Sequence, residues 1–131
     1  MITPNGSDRV LVDSSGWIEY FGEGPKASAF ADYLENPESL LLPSIVVYEV
    51  YKKLLHERRS NLAERFLSQA FGFQEAAISF DISVAALAAK VSLEMQLPMA
   101  DAIIYATASS YGARLVTSDH HFSGLPNVTV L

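Results

Sequence analysis

Val10-Leu11-Val12-Asp13-Ser14-Ser15 decides the fold. Three consecutive apolar residues with no polar alternation are what a strand buried on both faces of a parallel sheet presents. Asp13 ends the run. Ser14 and Ser15 are N-cap types for a helix through Trp17 to Phe21. Gly22, Gly24 and Pro25 break that helix, and Lys26 to Leu34 fits a second one. Leu40-Leu41-Leu42 repeats the buried-strand pattern. Pro43-Ser44 then opens a helix running from about Ile45 to His56, with Val46, Val47, Val50 and Leu54 facing inward.

The same alternation continues to the end of the chain. Asn61 to Ala70 is helical by period and Gly72 stops it. Ala76 to Phe80 reads as a third strand. Asp81 or Ser83 caps a helix from Val84 to about Gln96. Pro98 separates it from a helix over Ala100 to Ser110, which Gly112 ends. Leu115-Val116-Thr117 is a fourth strand and Val128 to Leu131 a fifth. Strands alternating with helices predict an α/β fold with a mostly parallel sheet. Met1 to Asp8 reads as a loose tail, leaving 9–131 as a single domain.

The chain has 131 residues, half of them hydrophobic and 18% charged. That apolar content fits either a large core or an apolar surface patch for a partner or a second copy. No cysteine is present, which excludes disulfides and thiolate zinc sites. The polar N-terminus is not a signal peptide, and no apolar run approaches ~20 residues, so neither secretion nor a membrane span is expected. The expected location is the cytoplasm. Net charge is −6, from 9 basic and 15 acidic residues. This is the wrong sign for a generic nucleic-acid binder, so such a function must rest on local charge or on metal ions.

In open α/β sheets, ligands bind beyond the carboxyl ends of the strands. Asp13 follows the first strand directly, and Asp119 follows the fourth by two residues. Glu49 lies in the first two turns of the helix after the second strand. Asp101 lies in the first turn of the helix that feeds the fourth strand, and its place at that edge depends on sheet topology. Each acid also has an ordinary reading. Asp13 can cap a helix, Asp101 can favour a helix N-terminus, Glu49 can pair with Lys52 or Lys53, and Asp119 can make an Asx-turn. Taken together, four converging carboxylates repel one another unless a cation neutralises them. Mg²⁺ or Mn²⁺ suits such oxygen ligands, and either can activate water and clamp a phosphate oxygen.

Lys52, Lys53, His56, Arg58 and Arg59 form the basic cluster. Lys52, His56 and Arg59 would share a helix face at i, i+4, i+7, either contacting RNA phosphates or simply solvated. Tyr48 and Tyr51 are candidates for base stacking, with core packing as the simpler expectation. Trp17, Tyr20 and Phe21 form an apolar group suited to the core, or alternatively to a partner. No Gly-rich phosphate loop with Lys and no Gly-x-Ser-x-Gly elbow is present, which argues against nucleotide hydrolases and α/β-hydrolases.

The chain resembles the PIN-domain family. The resemblance rests on Val10-Leu11-Val12-Asp13-Ser14-Ser15, Pro43-Ser44-Ile45-Val46-Val47-Tyr48-Glu49-Val50, Leu97-Pro98-Met99-Ala100-Asp101-Ala102-Ile103-Ile104 and Gly112-Ala113-Arg114-Leu115-Val116-Thr117-Ser118-Asp119-His120-His121. It covers nearly the whole chain from Arg9 onward. It implies a three-layer α/β/α fold with four to five strands. It also implies that Asp13, Glu49, Asp101 and Asp119 hold one or two Mg²⁺ or Mn²⁺ ions and hydrolyse RNA, with Ser14 and Thr117 in support. The small format is similar to VapC-type toxins, endoribonucleases of toxin–antitoxin pairs. That similarity implies an antitoxin partner and a homodimer. Some family members carry a further acid where this chain has His121, which can ligate metal, contact RNA phosphate or face solvent. The rival expectations are a non-catalytic interaction module, against which all four acids speak, and a nuclease acting on another RNA or on DNA.

Overall fold

The computed structural model describes residues 9–73 and 77–131. The chain runs through β1 (Val10–Val12), α1 (Ser14–Phe21), α2 (Ala27–Leu34), β2 (Leu40–Pro43), α3 (Ser44–His56) and α4 (Ser60–Gly72). It continues through β3 (Ala77–Ile78), α5 (Ile82–Met95), α6 (Met99–Ser110), β4 (Arg114–Thr117) and β5 (Val128–Val130). The tail expected over Met1 to Asp8 and the strand start expected at Ala76 lie outside the described residues.

The five strands form one sheet in the order β3-β2-β1-β4-β5, and every neighbouring pair is parallel. Helices flank the sheet, as the alternation of elements predicts. β1 and β4 are interior strands, and Leu11, Val12, Leu115 and Val116 are fully buried. This is why their sequences are continuous apolar runs without alternation.

At two helix starts the structure selects the aspartate among the caps that the sequence offers. Asp13, with ψ 177, caps α1, and its side chain accepts from the Gly16 N–H. Ser14 and Ser15 therefore lie inside the first turn. Likewise Asp81 caps α5, its Oδ1 accepting from the Val84 N–H at 2.9 Å, and Ser83 lies within the helix. In both cases the carboxylate leaving the preceding segment is extended, which is the backbone a cap requires. Gly72 is the last residue of α4 rather than the stop beyond it.

Trp17 and Phe21 sit in the core with Phe66, the Trp17 and Phe66 rings meeting edge-on at 5.4 Å. Core packing is therefore their role. Tyr48 is different: it is 57% exposed, against the core expectation. Phe71, Ile82, Leu93 and Met99 are exposed as well, so the high apolar content feeds both a core and the surface.

α1 packs tightly because Gly16 has no side chain. A Cβ there would run into Val12 Cγ1 on β1 and the Phe30 ring on α2. Overpacking of this kind costs about 1–3 kcal/mol. The gain from replacing a helical glycine is only about 0.5–1 kcal/mol. Gly16→Ala is therefore expected to lower the free energy of unfolding in urea, and equal stability would show that α1 is free to lift from the sheet.

Candidate active site

The chain adds β2 and β3 on one side of β1, then returns to place β4 on the other side. The strand order reverses between β1 and β4. Beyond the carboxyl ends of two such strands there is a crevice that no crossover connection fills. Val12 pairs with Val116, so the residues leaving the two strands, Asp13 and Thr117, stand side by side.

Asp13 is only 3% exposed. Thr117 Oγ1 donates to its Oδ2 at 2.8 Å, and Ser15 Oγ donates to its Oδ1 at 2.6 Å. The same two hydroxyls hold the segment that follows β4. Thr117 Oγ1 accepts from the Asp119 N–H at 2.9 Å, and Ser15 Oγ accepts from the Ser118 N–H at 3.1 Å. Thr117, expected in support, thus bonds both the Asp13 carboxylate and the Asp119 backbone. Ser15 was not singled out. Its signal was available in the sequence, as a second hydroxyl directly after Asp13-Ser14.

Ser14 Oγ donates to Glu49 Oε1 at 3.0 Å, which ties the start of α1 to α3. Glu49 pairs with neither lysine proposed for it. Lys53 meets Glu57 at 3.6 Å, and Lys52 donates to the Tyr48 hydroxyl at 3.2 Å. α6 begins at the same edge, so Asp101 reaches the crevice. His121 Nδ1 lies 3.5 Å from Asp101 Oδ2 and 3.4 Å from Asp119 Oδ1. The ligand atoms of Asp101, Asp119 and His121 lie within 4.8 Å of one another. Asp13 and Glu49 stand outside that trio.

The electrostatics join all four acids. Burial pushes Asp13 from an ordinary 3.8 up to about 6, the charge of Asp119 adds to the rise, and the Ser15 and Thr117 hydroxyls and the Gly16 N–H oppose it. Glu49 is raised by burial and then by Asp101 and Asp119, against Ser14 and Lys52. Asp101 is raised by burial and Asp119, against His121. Desolvation and like-charge repulsion thus both favour protonation, the condition a cation relieves.

The basic residues are only partly gathered. Lys52, Lys53 and His56 line a cleft of about 290 Å³ with Ser14, Tyr48 and Glu49. Arg59 does not share their helix face. α3 ends at His56, and Arg58 turns the chain with φ 58. Arg59 then contacts Glu57 at 3.4 Å. The i, i+7 spacing fails there because the helix stops short of it.

The profile of the PIN domain matches residues 10–127. The chain belongs to the PIN domain family. A toxin–antitoxin complex from Klebsiella pneumoniae is similar at 22% identity and TM-score 0.75, covering 92% of this chain and 96% of that one. FitAcB from Neisseria gonorrhoeae is similar at 21% identity and TM-score 0.73, covering 93% and 96%. DNA-bound VapBC from Salmonella typhimurium is similar at 17% identity and TM-score 0.65, covering 94% and 96%. These likenesses show the fold. Among curated proteins there is no match.

PIN nucleases as a family use divalent metals, and the donor set in this PIN domain fits one: two carboxylates and a ring nitrogen converge, and no lysine or arginine neutralises them within 4 Å among the described residues. In the metal-free protein, the raised carboxyl pKa values mean that the folded state holds protons more tightly than the unfolded chain. Stability therefore falls as pH rises between the unfolded value near 3.8 and the folded value of about 6 for Asp13. For this nearly buried group the loss is on the order of 3 kcal/mol. Asp13→Asn is expected to gain stability over the wild type across that window in EDTA, measured by denaturant unfolding at several pH values. A difference independent of pH would show that the Asp13 carboxylate carries no such penalty.

Proposed function

We propose that this protein is a metal-dependent endoribonuclease and the toxin half of a type II toxin–antitoxin pair, acting in the cytoplasm. One observation carries the reading: the Asp101 and Asp119 carboxylates gather with His121 at the β1–β4 switch point, Thr117 joins Asp13 to the Asp119 backbone beside them, and the charge of Asp119 raises the pKa of Asp13, Glu49 and Asp101 alike. Family membership supports a nuclease. The Klebsiella relative is a toxin–antitoxin complex, which supports the toxin assignment. A small antitoxin and a second copy of the chain are the proposed partners, with exposed Phe71, Leu93 and Met99 offering apolar surface for them.

In this reading Asp101 and Asp119 hold one or two Mg²⁺ or Mn²⁺ ions, with Asp13 behind them and Glu49 beside. Such an ion, when bound, supplies Lewis-acid polarisation of the phosphodiester and a water of lowered pKa. Glu49 accepts the proton of the attacking water. Ser14 holds its Oε1, and burial raises its pKa above the ordinary carboxylate range, which makes it a stronger proton acceptor. Thr117 and Ser15 keep the Asp13 carboxylate fixed in the crevice. Lys52 and His56, beside Glu49 in the cleft, contact RNA phosphates. The exposed Tyr48 ring offers a face for a base, with the Lys52 ammonium 5.4 Å from its centroid.

The test uses purified wild type, Asp13→Asn and Asp119→Asn with a mixed structured RNA pool, in Mg²⁺, Mn²⁺ or EDTA. Wild type is expected to cleave with metal and not in EDTA. Each variant is expected to lose a factor on the order of 10²–10⁴, the scale of one lost proton-transfer or charge-stabilising group. Equal cleavage by wild type and variants overturns the mechanism. Metal binding by calorimetry without any cleavage favours the interaction-module alternative. In the same assay Lys52→Ala is expected to weaken RNA binding, and more so at low salt than at high salt. Binding that is indifferent to Lys52 at every salt concentration removes it from the RNA path.

A further inference from the structure

We propose that His121 is a nitrogen ligand of the candidate metal centre, and that it makes the centre take Mn²⁺ in preference to Mg²⁺. This deepens the nuclease reading and rests on it.

The geometry places one ring atom between two carboxylates. His121 Nδ1 lies 3.5 Å from Asp101 Oδ2 and 3.4 Å from Asp119 Oδ1. Charge-assisted N–H···O bonds are about 2.7–2.9 Å long, so neither contact is a well-made hydrogen bond. One ring N–H also cannot point along both directions. Shared coordination explains the spacing better. Two ligands each about 2.1 Å from one ion and at right angles lie about 3.0 Å apart. The two His121 contacts need to contract by only a few tenths of an ångström to meet that, and all three ligand atoms already lie within 4.8 Å of one another.

The ring is held there by the backbone. The His121 N–H donates to Asp119 Oδ1 at 2.9 Å. The 3₁₀ turn His120–Phe122 is anchored by Phe122, which is fully buried. The main chain of His121 is therefore fixed beside Asp119, while its side chain is 68% exposed. That exposure leaves the open side of the centre to water and substrate. Neighbouring His120 contributes no atom to the trio.

The ligand chemistry then sets the ion. Mg²⁺ demands near-ideal octahedral oxygen coordination and keeps several of its waters. Imidazole suits transition metals, and among these Mn²⁺ also accepts carboxylate and water. Two carboxylates with one imidazole match Mn²⁺ better than Mg²⁺. A phosphate-contacting role for His121 would leave both ions bound by oxygen alone, with no nitrogen at the metal.

The experiment titrates metal-free wild type, His121→Ala and His121→Asp with manganese and magnesium chlorides by calorimetry. Circular dichroism checks that each variant folds. Pulsed EPR on the Mn²⁺-loaded proteins reads nitrogen coupling to the ion directly. Wild type is expected to show that coupling and to bind Mn²⁺ tighter than Mg²⁺ by about tenfold or more, roughly 1.4 kcal/mol. His121→Ala should lose both the coupling and the preference. His121→Asp should lose the coupling and bind Mg²⁺ at least as tightly as wild type. Bound Mn²⁺ without nitrogen coupling in wild type overturns the proposal and leaves the nuclease reading standing, as does an unchanged preference in His121→Ala. Failure of wild type to bind either ion overturns the nuclease reading itself.

Discussion

The Asp13 carboxylate is buried where β1 meets β4, with Thr117 on one oxygen and Ser15 on the other. The parallel register that sets Val12 beside Val116 brings those groups together. The same carboxylate caps α1. One side chain thus connects the end of β1, the start of α1 and the exit of β4, and the fold cannot move any one of them alone. A buried carboxylate is costly unless its lone pairs are used, and here hydroxyl and amide donors use them. The cost that remains appears as the upward shift of its pKa.

That constraint governs how charge is distributed around the crevice. Glu49, Asp101 and Asp119 arrive from α3, α6 and the segment after β4, and none of them meets a lysine or arginine within ion-pair distance among the described residues. The nearest help is weak: Lys52 acts on Glu49 through its field, and His121 acts on Asp101. In a chain of net charge −6, a polyanion would be repelled wherever local positive charge or a bound cation did not offset the field. The side of the crevice formed by α3 carries Lys52 and His56, a small basic margin beside an acidic centre.

The ordinary structural roles of these acids and their collective role are not rivals. Asp13 does cap a helix, Asp101 does sit in the first turn of α6, and Asp119 does accept the His121 N–H. A carboxylate has about four lone-pair sites. One can hold the backbone while others face the crevice. Local anchoring is what fixes each group in position, and their shared place at the strand ends is what sets their charges against one another.

Much was legible in the sequence because burial leaves a periodic mark. The apolar runs of Leu40-Leu41-Leu42 and Leu115-Val116-Thr117 marked β2 and β4 within a residue, and the acids after β1 and β4 followed from the rule that open sheets bind at their carboxyl ends. Other features were decided only by tertiary structure. Arg59 left the face of Lys52 and His56 because α3 stopped at His56, a matter of how α3 and α4 pack. Ser15 gained its role from Ser118, 103 residues away. The sequence left His121 open between metal, phosphate and solvent, and a turn anchored by the buried Phe122 sets it 3.4–3.5 Å from two carboxylates. Local pattern determines which residues are buried and where elements begin. Only the register of parallel strands and the packing of helices, which join residues far apart in the chain, determine which side chains meet.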